Sequence, residues 1–255
     1  MAHPREWIEV RPEGLYCKAG GFYIDPTRGV ERAIITHGHA DHARRGHQTV
    51  FATPATLAIM DTRYGLECCE ARVPLGYRQT QEINGVKVTL YPAGHILGSA
   101  QALLEYQGGR IVISGDYKRR PDPTCDAFEP VPCDVFVTEA TFGLPVFHHP
   151  DTGHEIDKLL TSLSLMPDRC YLVGAYALGK CQRVMMELRA KGYTKPFYMH
   201  GAVKQLCELY QAQGCALGEL IPVSEVDKAN LVGEIVFAPP SALADRWSRN
   251  LPNLM

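Results

Sequence analysis

The sequence has no C-x-x-C pair, although it holds nine cysteines. Cys68 and Cys69 are adjacent and the others are scattered, a spacing that fits neither a zinc ribbon nor a secreted disulfide frame. Reduced, mostly buried thiols are the expectation, and any metal must be held by His and Asp. No apolar run is long enough to span a bilayer. Residues 1–10 carry charges and a proline and lack the apolar centre of a signal peptide. A cytoplasmic protein without a membrane partner is therefore expected. An excess of positive charge is also missing: 26 Lys and Arg stand against 28 Asp and Glu, a net charge of −2. No global field draws the chain to nucleic acid, yet a neutral chain can still carry a local basic groove. What is present is an ordinary globular balance over 255 residues, 45% hydrophobic and 21% charged. That suffices for one large domain or two small ones.

The first half reads as short strands separated by turns. Phe22-Tyr23-Ile24 precedes Asp25-Pro26, a turn signal. Residues 32–36 form an apolar strand that ends abruptly at His37. Thr53 and Pro54 open a helix with Leu57, Met60 and Tyr64 on one side. Strands follow over 86–91, 102–106, 110–114 and 135–138, with a hairpin turn at Gly108-Gly109. From about residue 151 helices at 155–165, 180–190 and 202–213 alternate with strands at 171–173, 197–199, and near Ile221 and Ile235. Such alternation predicts parallel strands and an α/β fold. The stretch from Thr141 to Gly153 is rich in Pro, Gly and His and marks the expected boundary between residues 1–150 and 151–255.

The densest chemistry is His37-Gly38-His39-Ala40-Asp41-His42. Four metal-competent side chains fall within six residues, directly after an apolar strand. His37 and His39 point the same way if the backbone stays extended, and Asp41 and His42 can turn toward a second ion. Imidazoles with a carboxylate suit zinc or manganese. Pro92-Ala93-Gly94-His95 and Ser114-Gly115-Asp116 each place a further ligand type at the end of a strand. Alone, His95 or Asp116 would be an ordinary turn residue; beside the first cluster both become candidate ligands. Lys118-Arg119-Arg120 puts basic charge just past Asp116. Gly179-Lys180 opens a helix, where backbone N–H groups and the Lys favour phosphate.

The H-x-H-x-D-H cluster with the later single His and the later Asp resembles the metallo-β-lactamase superfamily. The resemblance implies that His37, His39 and His95 hold one ion, Asp41 and His42 a second, and Asp116 both. Asp25 matches the supporting Asp that orients the His loop. Two ions imply hydrolysis by a water activated between them. Val137-Thr138-Glu139-Ala140-Thr141-Phe142-Gly143 and Ala177-Leu178-Gly179-Lys180-Cys181-Gln182 resemble the β-CASP nucleases, which include Artemis-like DNA nucleases and the mRNA 3′-end endonuclease. In that branch Glu139 lies by the active site, orienting a catalytic His or the substrate. Asp41, Asp116 and Glu139 are then the catalytic carboxylates, and Lys118, Arg119 and Lys180 the substrate contacts. The implied fold is an αββα metallo-β-lactamase sandwich with an inserted α/β β-CASP domain.

Residues 35–39, 92–100 and 142–147 resemble the bacterial DNA ligase-associated exonucleases. That implies DNA as substrate and the ligase and helicase of a repair system as partners. A β-CASP ribonuclease is the alternative, because no residue here reads a 2′-hydroxyl. Thioester or lactam hydrolysis is disfavoured by Glu139 and by the α/β insertion. β-CASP proteins carry two further functional His near the C-terminus, whereas no His follows His200 in this chain. The expectation is a chain without that segment, holding its second ion more weakly, with a catalytically impaired binding subunit as a further alternative. His148, His149 and His154 read as loop residues, and His200 as a structural or substrate contact.

Overall fold

A computed structural model of the chain describes residues 6–252 and 254. It falls into two compact units, the first ending at Thr141 and the second beginning at Phe142. The division lies at the start of the Pro-, Gly- and His-rich stretch, ahead of residue 150.

The first unit contains two sheets. Strands β1 (Ile8–Arg11), β2 (Gly14–Cys17), β3 (Phe22–Ile24), β4 (Arg32–Ile34), β5 (His47–Ala52) and β6 (Cys69–Pro74) pair in chain order. Pairing is antiparallel from β1 to β3 and parallel from β3 to β6. Strands β7 (Thr80–Ile83), β8 (Val86–Pro92), β9 (Ala100–Tyr106), β10 (Gly109–Ile113) and β11 (Val135–Val137) make the second sheet. Successive side chains on a strand alternate in direction, and the core follows that rule. Phe22, Ile24, Ile34 and Phe51 of the first sheet share one buried cluster with Val86, Val88, Leu90, Leu104, Ile111 and Ile113 of the second. Ala33, Ile35, Val50 and Ala52 form another cluster with Leu57 and Met60 of helix α1 (Pro54–Tyr64). The parallel part of the first sheet is thus covered on both faces, which explains why it reads as continuous apolar runs. Each fully buried Ile or Leu contributes about 1.5–3 kcal/mol.

Helix α1 begins as its sequence predicts. Thr53 is the N-cap, accepting from Thr56 N at 3.1 Å, and Tyr64 packs with Leu57 and Met60. The hairpin between β9 and β10 turns at Gln107-Gly108, one residue earlier than expected. Both take positive φ, 49° and 83°, as a type I′ turn requires.

The second unit is a parallel α/β layer. Strands β12 (Tyr171–Gly174), β13 (Phe197–Met199), β14 (Leu220–Pro222) and β15 (Ile235–Ala238) pair in the order β12-β15-β13-β14, all parallel. Helices α2 (Thr152–Leu165), α3 (Lys180–Ala190) and α4 (Gly201–Ala212) accompany them. Helix α2 starts earlier than its apolar pattern suggests because Asp151 caps it, accepting from His154 N at 3.0 Å. His154 therefore lies in the first helical turn rather than in a loop. All nine cysteines are free thiols, six of them buried. Among the described residues no helix is long and apolar enough to cross a membrane.

Candidate metal centre

The centre is assembled where strands of both sheets in the first unit end. Strand β4 stops at Ile34, and the chain continues through Thr36 into His37, His39 and His42. Strand β8 leads to His95 and β10 to Asp116. Ala100 N donates to Thr36 O at 2.8 Å, tying the first loop to the start of β9.

Two glycines make the approach of these loops feasible. Gly115 has φ +53°, and a Cβ there would lie 2.5 Å from Thr36 Oγ1. Gly94 has φ +70°, and its Cβ would lie 2.3 Å from the Lys118 carbonyl. Only glycine fits both the backbone conformation and the space. Ser99 Oγ shapes the His95 turn by accepting from His95 N at 3.0 Å and Ile96 N at 3.2 Å.

Asp25 stands behind the His loop with φ +44°, a left-handed conformation that Asp tolerates better than most residues. Its Oδ1 accepts from Thr36 N at 2.7 Å, and its Oδ2 from Thr36 Oγ1 at 2.5 Å. His42 Nδ1 lies 2.8 Å from the same Oδ2. These bonds fix the ring tautomers. Thr36 gives its only hydroxyl proton to Asp25, so toward His37 Nδ1, 3.1 Å away, it must accept. His37 Nδ1 then carries the proton and its Nε2 offers a lone pair. His42 donates through Nδ1 to Asp25, which turns its Nε2 toward Asp116.

The exposed lone pairs converge. His37 Nε2 and His39 Nδ1 are 3.1 Å apart, and His39 Nδ1 and His95 Nε2 are 3.2 Å apart. Asp116 Oδ2 lies 3.8 Å from His37 Nε2 and 3.6 Å from His95 Nε2. Ligands 2.0–2.1 Å from a tetrahedral zinc stand about 3.3 Å from one another, so the set has the dimensions of one metal cage. The other Asp116 oxygen, Oδ1, faces His42 Nε2 at 3.3 Å, and Asp41 Oδ2 is 3.8 Å from that nitrogen. Asp25, His37 and His42 also lie close enough to suggest a cage. Asp25, however, already accepts from Thr36 and His42.

Electrostatics set His37 and His95 apart from His42. Burial, then the neighbouring His42, His39 and His95 rings, hold His37 well below the usual imidazole range. Burial and His39 bring His95 down to about 4. Both rings are therefore neutral near pH 7, the form that binds metal. Burial opposes charge on His42, but hydrogen bonds to Asp116 and Asp25 outweigh it and raise the ring to about 10, so without a metal Nε2 also carries a proton toward Asp116, which an ion bound there would displace. The bond from His42 holds Asp116 below the ordinary carboxylate range.

The remaining predicted residues are placed differently. Asp41 is largely exposed. Glu139 turns back on its own loop, accepting from Thr141 N at 2.6 Å. Lys118 is paired with Asp122, and its backbone N donates to Ala93 O at 2.9 Å. Arg119 is exposed, and Lys180 is exposed at the start of α3 in the second unit. His200 caps α4, accepting from Ala202 N at 3.1 Å, with its ring edge-on to Trp247. Sequence reasoning missed Thr36 and Arg63. Arg63 Nη1 reaches from α1 to Gly38 O at 2.6 Å, bracing the H-x-H turn. Thr36 could have been suspected as the polar residue closing an apolar strand; Arg63 left no signal, because its partner is 25 positions away.

No family model matches the chain. It is similar to curated proteins over most of its length. It is 29% identical over 250 residues to a probable DNA ligase of Opitutus terrae, covering 96% of this chain and 24% of the relative. It is 26% identical to cleavage and polyadenylation specificity factor subunit 3-I of Arabidopsis thaliana, over 89% of this chain and 41% of the relative. It is 30% identical to the endoribonuclease YSH1 of Gibberella zeae, over 78% of this chain and 24% of the relative. The chain thus spans between about a quarter and two fifths of the length of these relatives. Among solved structures, a protein of unknown function from Enterococcus faecalis V583 matches with a TM-score of 0.53 at 13% identity. The match covers 86% of this chain and 60% of that one, a likeness of fold alone.

Proposed function

We propose that this chain is a β-CASP nuclease of the metallo-β-lactamase type, hydrolysing phosphodiester bonds in nucleic acid with two divalent ions, zinc or manganese. The observation that carries the reading is the Asp116 carboxylate, with one oxygen toward His37 and His95 and the other toward His42. That is the disposition of a bridging ligand. His37, His39 and His95 would hold one ion, Asp41 and His42 the second. Bound there, the ions supply Lewis acidity and a water that ionises near neutral pH. Asp25, accepting from His42 Nδ1, would orient the ring so that Nε2 faces the second ion, which displaces the proton there. Glu139 and Lys118 are proposed to act on the substrate beside the centre, and Arg119 and Lys180 to contact its backbone phosphates. The two units would correspond to the first part of the αββα sandwich and to the β-CASP insertion.

The relative named as a probable DNA ligase aligns with 96% of this chain, which favours DNA and a repair role with a ligase and helicase as partners. The relatives named endoribonuclease favour RNA as the second reading. Single-stranded DNA and RNA, labelled in turn at each end, are incubated with manganese or zinc, with EDTA, and with Asp41→Ala. Cleavage of one polymer that needs metal and disappears in the variant supports the reading and chooses the substrate; metal-loaded protein that leaves both intact overturns it.

A further inference from the structure

Most arginines of the first unit are engaged. Six pair with carboxylates, among them Arg28 with Glu13, Arg72 with Asp61 and Arg110 with Glu105. Arg63 donates to Gly38 O, and Arg120 has an interaction of its own. Arg44, Arg45 and Arg119 differ: all three are exposed, and their guanidinium groups have no carboxylate or carbonyl partner among the described residues. They are not scattered. Arg44 and Arg45 follow His42 by two and three positions, and Arg119 follows Asp116 by three. The turn is tight, with Ala43 N donating to His39 O at 2.7 Å and Arg44 N to His42 O at 3.2 Å, so Arg44 and Arg45 are held in the same short loop as His39 and His42. The exposed carboxylate in the same loop is Asp41, which the metal reading already uses.

Unpaired like charges side by side do nothing for the fold. A guanidinium is, however, a rigid fork whose N–H groups match two phosphate oxygens. We propose that Arg44 and Arg45, together with Arg119, form a clamp at the rim of the metal centre for the phosphates flanking the scissile bond. This rests on the nuclease reading and adds Arg44 and Arg45 to the substrate contacts. Phosphate contacts position a strand and carry no sequence information, so the clamp acts alike on every sequence.

The test is fluorescence anisotropy of labelled oligo(dT) and oligo(rU) with EDTA-treated protein across a salt series, paired with steady-state cleavage by the metal-loaded protein. Each arginine–phosphate pair removed from a single-strand complex lowers the slope of log K against log salt by about 0.7. Arg44→Gln/Arg45→Gln should therefore flatten the slope by about 1.4 and raise KM, with unchanged metal content. Arg28→Gln, which breaks an ordinary surface pair, should leave slope and KM as they were. A double variant with the wild-type slope and KM, in a wild type that cleaves, overturns the clamp and leaves the nuclease reading standing. A wild type that neither binds nor cleaves either polymer overturns the nuclease reading, and the clamp with it.

Discussion

At Asp25 one carboxylate accepts from a backbone N–H, a hydroxyl and an imidazole. Replacing it by Ala leaves partly buried donors without partners, a cost of about 1–3 kcal/mol. Asp25→Ala should lower the urea midpoint accordingly. Asp25→Asn retains one acceptor and recovers much of that stability. It cannot orient His42 as a carboxylate does, so its metal affinity should remain about 10- to 100-fold weaker in a chelator competition. An Asn variant that binds metal like the wild type would show that Asp25 serves only the fold. Gly115 is the second sensitive residue. Its left-handed φ and the 2.5 Å approach of a Cβ to Thr36 Oγ1 act on a hydroxyl locked between Asp25 and His37. Gly115→Ala should cost more than the roughly 1 kcal/mol of a strained turn alone, read as the shift in urea midpoint, and should lower metal content.

Helix α1 holds two loops of the candidate centre at once. From its start, Thr53 Oγ1 donates to Gly98 O at 2.7 Å and Thr56 Oγ1 to the same carbonyl at 3.0 Å, fixing the turn that carries His95. From near its end, Arg63 braces Gly38. Thr53→Val removes both the cap and the Gly98 bond and should cost about 1–2 kcal/mol in chemical denaturation. Arg63→Met should weaken metal binding more than it changes the denaturation midpoint, and the reverse order would refute the bracing role. The elements themselves were unevenly legible. Helix α3 matches its expected span, because Gly179 and the apolar spacing after Lys180 are local signals. Strands β1, β2, β5, β6 and β7 were not anticipated; several are short, with mixed burial, and the pairing that makes them strands comes from distant residues. The insertion of β15 between β12 and β13 is a tertiary fact with no local trace. The convergence of His37, His39, His95 and Asp116 was legible because His and Asp at strand ends have few other reasons to cluster. Their supports, and the pairing of Lys118 with Asp122, depend on contacts that spacing does not encode.

On the scale of the whole molecule, every residue of the candidate centre lies in the first unit, while Lys180 and His200 lie in the second. A metal that binds only the folded first unit stabilises it by RT ln(1 + [L]/Kd), about 2.7 kcal/mol at a hundredfold excess over Kd. Hydrogen exchange with and without EDTA should therefore show protection gained in the loops carrying His37 to His42, His95 and Asp116. Helices α3 and α4 should change far less; equal changes in both units would contradict a centre confined to the first. Everything proposed for the chemistry depends on a pair of ions sharing Asp116, and anomalous diffraction from crystals grown with zinc or manganese would locate them. Two peaks are expected, one among His37, His39 and His95 and one beside Asp41 and His42, with an Asp116 oxygen on each. A single peak, or an ion held by Asp25, would contradict the shared carboxylate.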